Sequence, residues 1–315
     1  MSASDAEASA AAMGPSCPVW GTWPTDDADE QAANELGRAI CGASGETVVL
    51  SGDMSRPLSE LPFSEGIANA LWNACETETI SEMHRLYRDA GANAAVTNTM
   101  WCSAPAIAAA GLDVSVRDAN DRAVRAAYSS ASRYVVGAIG PCAQAPREPD
   151  AASRSAWREQ ATRLKWGGTH GFLLRGMRRA DEAASCVECV CQVSERPVIC
   201  LFDCDASGLL ADGLPLADGL ALAAEAGAHG IGVTAILPDV AALAPTVVDV
   251  ACALGRGAAV VASCDPSAPA RTLQAAYARM ARSLHDLGVT VIGCGRGSTV
   301  RHTAAVADAL TGLER

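Results

Sequence analysis

The feature that most constrains the fold is an alternation, repeated eight times after Glu46, between a short apolar run and a longer amphipathic stretch. Each apolar run is short enough for one buried strand, and each amphipathic stretch is long enough for a helix that covers it. This alternation is typical of βα units around a parallel sheet. The predicted strands are Thr47–Ser51, Ala94–Thr97, Tyr134–Gly140, Gly171–Leu174, Val198–Asp203, Gly230–Thr234, Ala258–Ser263 and Val289–Gly293.

Glycines at the ends of the predicted helices support this interpretation. Four helices end next to a glycine that can take the left-handed cap, namely Gly91, Gly227, Gly255 and Gly288. Eight such units over about 250 residues predict an α/β protein with a (β/α)8 TIM barrel. An open doubly wound sheet is the alternative, but SGDMSRP after the first strand lacks the glycine-rich fingerprint of dinucleotide-binding sheets. We expect residues 1–40 to form a flexible arm with one short helix, and residues 41–315 to form a single barrel.

Composition narrows the partners that the chain can have. Half of its 315 residues are hydrophobic but only 4% are aromatic, which suits small-residue helices on a sheet and disfavours an all-β sandwich. The net charge of −12 argues against nucleic acid and acidic membrane surfaces as partners. No apolar run is long enough to span a membrane, and the first residues lack the basic segment of a signal peptide. We therefore expect a cytoplasmic protein whose 13 cysteines are mostly reduced.

Functional residues of a TIM barrel lie at the carboxyl ends of its strands and in the loops that follow. The polar side chains at these predicted ends are Ser51, Asp53, Thr97, Asn98, Thr99, Arg175, Asp203, Asp205, Thr234, Ser263, Asp265 and Arg296. Four cysteines follow the third, fifth, seventh and eighth strands, namely Cys142, Cys204, Cys264 and Cys294. Thiolates grouped at the carboxyl end of the barrel, which we call its mouth, suit a soft metal such as zinc. Cysteine is also a common small residue of buried cores.

Several motifs resemble those of a known family. The stretch LWNACETETISEMHRLYRDAGANAAVTNTMWCSAPAIAAAGLD, Leu71 to Asp113, closely resembles the early segment of the homocysteine S-methyltransferase family. GAIGP at Gly137–Pro141, DASG at Asp205–Gly208 and IGCGRGSTVRH at Ile292–His302 follow in the order of that family. The resemblance covers about residues 46–313 and implies a zinc-dependent barrel that methylates the sulfur of homocysteine.

The resemblance also implies a methyl donor. This donor is a compound such as betaine, S-methylmethionine, or a methylfolate that acts through a corrinoid. The chain has no room for a corrinoid-binding or folate-binding domain beside the barrel. A corrinoid or folate would therefore come from a separate corrinoid protein or a second subunit, whereas the substrate itself is expected to be a small molecule.

The resemblance does not extend to the residues that would bind zinc. The family's three zinc cysteines align with Ala235, Gly295 and Arg296, and none of these side chains can coordinate a cation. A Glu-Thr pair that would hold the amino group of homocysteine is replaced by Arg175 and Gly176, which reverses the charge. After the fifth strand, a Ser and a Thr are replaced by Leu201 and Asp203.

Three functions stay open at this point. In the first, the protein is a methyltransferase whose metal has moved to Cys294, Cys264 and Cys204 or Asp203. In the second, Arg175, Arg296 and Arg56 bind a small anionic ligand. In the third, the barrel is a catalytically silent homologue that acts as a partner or regulatory subunit, and its arginines pair with Asp53 and Asp203.

The first hypothesis assigns a role to each candidate residue. The catalytic candidates are Asp203, Asn98 and His302, and the substrate-binding candidates are Arg175, Arg296, Asp53 and Thr234. His302 follows the loop after the eighth strand, where it is either a ligand or general acid or a surface side chain at the start of the last helix.

Overall fold

The computed structural model describes residues 28–61, 68–143, 147–264 and 273–313. Within these residues the chain forms eight parallel strands surrounded by helices. The strands are β1 (Val48–Val49), β2 (Ala94–Val96), β3 (Tyr134–Ile139), β4 (Gly171–Met177), β5 (Val198–Asp203), β6 (Gly230–Ile236), β7 (Gly257–Ser263) and β8 (Val291–Cys294).

The sheet closes on itself. Its strand order is β1-β8-β7-β6-β5-β4-β3-β2, and a parallel bridge between Leu50 and Ala94 joins the first strand to the second. At this seam the amide of Ser51 donates to the carbonyl of Ala94 over 2.8 Å. The predicted TIM barrel is therefore confirmed, and the alternative of an open doubly wound sheet is wrong.

The helices surround the barrel in chain order. They are α1 (Ala28–Ile40), α2 (Ser55–Ser59), α3 (Asn69–Cys75), α4 (Thr77–Asp89), α5 (Ala104–Ala109), α6 (Val116–Tyr128), α7 (Ala151–Trp166), α8 (Ala180–Cys191), α9 (Leu216–Glu225), α10 (Val240–Ala253), α11 (Gln274–Leu287) and α12 (Val300–Leu310). The sequence predicts all but α2, α3 and α5, which have five to seven residues each and too few turns for a clear periodicity. Among the described residues no helix is long and apolar enough to cross a membrane.

The four predicted glycine caps have the expected backbone. Gly91, Gly227, Gly255 and Gly288 all adopt positive φ angles, between 62° and 114°. Glycine reaches this region without the clash that a Cβ atom would cause. These residues turn the chain from four helices into the next strands, which sets the spacing of the βα units.

Helix α1 covers the amino-terminal end of the barrel. Leu36 and Ile40 belong to the same buried cluster as strand residues of the barrel, such as Leu173 and Ile199. The hydroxyl of Thr290 donates to the carbonyl oxygen of Ile40 over 2.6 Å, which ties the end of α1 to the chain just before β8. Residues 1–27 of the predicted arm lie outside the described residues, and the boundary after residue 40 stays a prediction.

Small residues let the strands approach closely. A Cβ atom added to Gly232 in β6 would overlap the backbone carbonyl of Ala259 in β7. Neither group can move without breaking the ladder that pairs Gly230–Ile236 with Gly257–Ser263. The low aromatic content of the chain fits this close packing.

We predict that Gly232→Ala lowers the free energy of unfolding by about 3 kcal/mol, because the new methyl group forces two paired strands apart. Gly37→Ala is the matched control, since its Cβ would only touch Pro197 at 3.9 Å and its position is helical. That variant should gain about 0.5–1 kcal/mol. Urea unfolding followed by circular dichroism measures both, and equal effects of the two substitutions would contradict the packing described.

Candidate functional site

A cavity of about 1150 Å³ opens at the carboxyl ends of the strands. Its lining includes four arginines and three aspartates, namely Arg56, Arg175, Arg178, Arg296, Asp53, Asp203 and Asp239. An apolar wall is formed by Met100, Trp101, Pro141, Ile236 and Leu243. A cavity of this size, with polar groups grouped against an apolar wall, is typical of a site for a small molecule.

Asp203 and Thr234 form the polar floor of the cavity. They are register partners at the ends of β5 and β6. Asp203 Oδ1 and Thr234 Oγ1 are both buried, and neither makes a hydrogen bond of regular geometry to the described residues. Thr234 contacts Asp203 closely enough to lower its pKa, but neither atom has a hydrogen bond of regular geometry, so both keep hydrogen-bonding capacity for a ligand in the cavity.

Burial raises the pKa of the Asp203 carboxyl above its ordinary value, because desolvation penalises the ionised form. Arg175, Thr234 and Arg178 oppose this shift and lower the pKa, but burial outweighs them. A carboxyl with a raised pKa in a cleft is a candidate for proton transfer.

A β-bulge turns Arg175 into the cavity. The register of β4 against β5 shifts between Leu174 and Met177, and Gly176 has a φ of +77°. A side chain at Gly176 would also meet Met100 Cε at 2.5 Å. Bulges next to functional sites commonly redirect one side chain, and here the redirected residue is Arg175.

Arg175 reaches across the mouth to Asp53. Its Nη2 lies 3.7 Å from Asp53 Oδ2, and both side chains are less than one-fifth exposed. Asp53 also accepts hydrogen bonds from the amide of Ser55, over 2.9 Å, and from the Ser55 hydroxyl, and its carbonyl accepts one from Tyr87. Because β1 and β4 are separated by β2 and β3, this ion pair joins two distant parts of the rim.

The other three arginines differ in their partners. Arg56 contacts the Glu60 carboxylate at 3.1 Å and donates to the Gly297 carbonyl over 3.2 Å. Arg178 and Arg296 are exposed, and within the described residues no carboxylate lies close enough to pair with either guanidinium. The mouth therefore carries two positive groups that are open to a ligand.

The thiols do not assemble a metal site. Cys204 and Cys264 line the cavity, but Cys294 is buried and does not belong to its lining. Burial raises the pKa of Cys294 to about 12 and that of Cys204 to about 11. Among the described residues no three His, Cys, Asp or Glu side chains could jointly hold a metal ion. The proposed set of Cys294, Cys264 and Cys204 therefore does not fit zinc.

The positions that align with zinc cysteines have a different local structure. Ala235 lines the cavity with only 8% exposure, and Arg296 lines it from the loop after β8, two strand positions from Ala235. A Cβ at Gly295 would overlap Ser263 Oγ, which accepts a 3.1 Å hydrogen bond from the Arg296 amide. A cysteine at 295 would break that bond, so the loop after β8 is built around glycine. Asp265 lies outside the described residues.

Asn98 holds the loop after β2 in place. Its Nδ2 donates to Asn73 Oδ1 over 3.1 Å, and Asn73 Nδ2 returns a 2.7 Å hydrogen bond to the Asn98 carbonyl. Gln160 Nε2 donates to the carbonyl of Thr99 over 2.6 Å. Asn98 also lines the cavity, so its predicted catalytic role stays a prediction beside this positioning role.

His302 is buried at the start of α12, with 1% exposure, so the expectation of a surface side chain is wrong. Its Nδ1 accepts a 2.9 Å hydrogen bond from the Thr299 amide as part of a capping box. The ring lies 4.8 Å from the ring of Tyr277 and is not among the residues that line the cavity. The structure therefore does not bring His302 together with Asp203.

Sequence reasoning missed Arg178 and Asp239. Arg178 follows the true end of β4, which is three residues beyond the predicted end at Leu174. Asp239 lies in a short 3-10 turn, Leu237–Asp239, that follows β6. The only available signal for the longer strand was Met177, an apolar residue that follows Arg175 and Gly176.

Comparison with known proteins finds a matching family and similar solved structures. The sequence profile of homocysteine S-methyltransferases matches residues 48–310. The metallated form of the homocysteine methyltransferase MmuM from Escherichia coli superposes with a TM-score of 0.69 at 20% identity, over 84% of this chain and 96% of that chain. Its oxidized form gives 0.70 at 18% identity, over 86% and 98%. A search of curated protein sequences finds no match.

We predict that the purified protein retains less than about 0.1 zinc ion per chain after incubation with zinc and dialysis, because the described residues supply no three-ligand set. Metal analysis by mass spectrometry measures the content, and Cys294→Ser should leave it unchanged. One zinc ion per chain that is lost in Cys294→Ser would contradict this account of the thiols.

Proposed function

We propose, because this chain belongs to the homocysteine S-methyltransferase family, that it transfers a methyl group to a small acceptor at the barrel mouth with Asp203 as the proton acceptor. The observation that carries this proposal is the buried Oδ1 of Asp203, which lies in the floor of the cavity without a hydrogen bond of regular geometry to the described residues. The family resemblance supplies the reaction class, and the local chemistry supplies the role of the carboxylate.

A methyl acceptor needs a lone pair that is not engaged by a proton. A thiol is mostly protonated at neutral pH, and the thiolate is the nucleophile. Zinc is the means of deprotonation that the family implies, but the described residues do not fit this ion. A base within hydrogen-bond reach is the other route, and Asp203 is the carboxylate on the floor without a hydrogen bond of regular geometry at Oδ1.

The neighbours of Asp203 suit this role. Burial raises its pKa, which makes the carboxylate a stronger base than an exposed aspartate. The nearby charges of Arg175 and Arg178 favour a developing thiolate as well as the carboxylate. Thr234 offers a hydroxyl on the adjacent strand that can orient the acceptor.

The proton and the electron pairs of this methyl transfer are all accounted for without a metal ion. The acceptor's proton moves to Asp203 Oδ1, and the freed electron pair forms a bond to the methyl carbon. The bond between that carbon and the donor breaks, and its electron pair stays on the donor atom. A small onium compound such as betaine or S-methylmethionine, or a separate corrinoid protein, is the donor that the proposal requires.

The test is a methyl-transfer assay with deuterated betaine or S-methylmethionine, thiol acceptors and mass-spectrometric detection. We expect Asp203→Asn to lower kcat/KM by about 10²- to 10⁴-fold, since the base is lost. Asp249→Asn is the control, because it removes the same charge from the exposed face of α10. Full activity of Asp203→Asn would refute the role of Asp203, and absence of transfer with every donor, including a corrinoid protein, would favour the catalytically silent alternative.

The pH profile gives a second prediction. Below the raised pKa of Asp203 the carboxyl is protonated and cannot accept a proton, so kcat/KM should fall as the pH decreases through that value. Asp203→Asn should remove this acidic limb from any residual activity. An acidic limb of unchanged position in Asp203→Asn would assign the titration to another group.

Asp203→Asn should lower the methyl-transfer activity without lowering the thermal stability of the protein. Because the native pKa of Asp203 is raised, ionisation of this carboxyl destabilises the folded state at pH values above it. Asp203→Asn removes that penalty, so its thermal midpoint at pH 8 should equal or exceed that of the wild type. A decrease of more than about 4 °C would indicate a structural role for the carboxylate.

A further inference from the structure

From the charges around the cavity we infer that the acceptor is a small organic acid, with a carboxylate bound by Arg296 and Arg178 and a thiol directed at Asp203. The assignment of the thiol end rests on the proposed function, whereas the carboxylate end rests on the arginines alone. No amino group is needed on the ligand.

The cavity is more positive than the chain around it. The whole chain has a net charge of −12, yet four arginines and three aspartates line the mouth. Arg175 pairs with Asp53, and Arg56 with Glu60 outside the lining. This pairing leaves Arg178 and Arg296 without a carboxylate partner within the described ranges.

Arg178 and Arg296 line the same cavity from opposite sides of the barrel opening, so a ligand in this cavity lies between them. Arg178 follows β4 and Arg296 follows β8, and these strands are four positions apart in the closed order of eight. Both side chains are exposed, so they are accessible to an entering anion. Guanidinium groups bind carboxylates with two parallel hydrogen bonds, which gives direction as well as charge.

The loop that carries Arg296 is anchored through its backbone rather than its side chain. The Arg296 amide donates to Ser263 Oγ, its carbonyl accepts from the Cys264 amide over 2.9 Å, and the next carbonyl, of Gly297, accepts from Arg56. A fixed backbone with a guanidinium that no described carboxylate engages is the arrangement expected of a binding residue.

The floor of the cavity selects the other end of the ligand. Asp203 Oδ1 can accept a hydrogen bond from a thiol, and Thr234 Oγ1 can donate one to its sulfur. The exposed rim and the buried floor thus favour a molecule with an anionic end and a neutral, ionisable end. The apolar wall formed by Met100 and Trp101 suits a short hydrocarbon link between them.

An ammonium group at this mouth would find Asp239 as a carboxylate without an ion pair among the described residues, but it would also meet the guanidinium groups of Arg178 and Arg296. Arg175 and Arg178 both act on Asp203, so a cation near the floor would meet two like charges. Asp53 is already held by Arg175 and Ser55. A thiol acid should therefore bind more tightly than a thiol amine of the same length.

The experiment compares three probes by isothermal titration calorimetry without any methyl donor: 3-mercaptopropionate, propionate and cysteamine. We expect 3-mercaptopropionate to bind tightest and cysteamine weakest. Arg296→Gln and Arg178→Gln should each weaken 3-mercaptopropionate binding about tenfold. Arg282→Gln, which removes the same charge from the exposed face of α11, should leave it unchanged. Salt should weaken binding to the wild type, because the rim is exposed to solvent.

Two results would overturn the inference. One is cysteamine binding as tightly as 3-mercaptopropionate, and the other is an effect of Arg296→Gln and Arg178→Gln no larger than that of Arg282→Gln. Arg296→Glu adds a positive test, since the reversed charge should shift preference towards cysteamine.

Different results would exclude the proposed methyl transfer and the proposed carboxylate site. Arginine-dependent binding of 3-mercaptopropionate that is never methylated would remove the methyl-transfer proposal and leave the anion site intact. Methylation of homocysteine at a rate independent of both arginines would support methyl transfer and exclude the binding of the acceptor's carboxylate by Arg178 and Arg296.

Discussion

The closure between β1 and β2 is the interaction on which the whole mouth depends. The first strand has only two ladder residues, and the side chain of Asn93 completes the seam. Its Oδ1 accepts from the Val49 amide over 2.8 Å, and its Nδ2 donates to Glu46 and to the carbonyl of Thr47. Because Asp53 follows this strand directly, the seam also fixes one end of the ion pair with Arg175.

In the proposed function, a carboxylate base at the mouth replaces the zinc ion that the family resemblance implies. Where zinc cysteines would align, the chain has an alanine, a glycine and an arginine, and a buried carboxylate stands on the floor. A cation bound by thiolates and a base beside guanidinium groups both favour an anionic sulfur. The reaction class can therefore persist in the family while the groups that support it differ.

The sequence was informative where backbone geometry follows from residue type. Strand–helix alternation and the positive-φ glycines, such as Gly91 and Gly288, predict the barrel correctly because each is a local consequence of hydrophobic periodicity and sterics. The placement of Asp203 and Thr234 at adjacent strand ends follows from the same logic.

The rest of the site depends on contacts that no local pattern encodes. The bulge at Arg175 lengthens β4 and brings Arg178 to the rim, but it arises from pairing with β5. His302 is buried because Tyr277 and Thr299 pack and cap it, and Cys294 turns away from the cavity. Each of these outcomes is decided by tertiary packing, so strand-end position alone could not assign them.

In the proposed mechanism Asp203, rather than a metal ion, contacts the acceptor sulfur. A crystal structure of the protein with bound 3-mercaptopropionate tests this contact. We expect the sulfur within about 3.5 Å of Asp203 Oδ1, with no metal density beside it. A sulfur bound to a metal ion, or one positioned away from Asp203, would show that Asp203 is not the base.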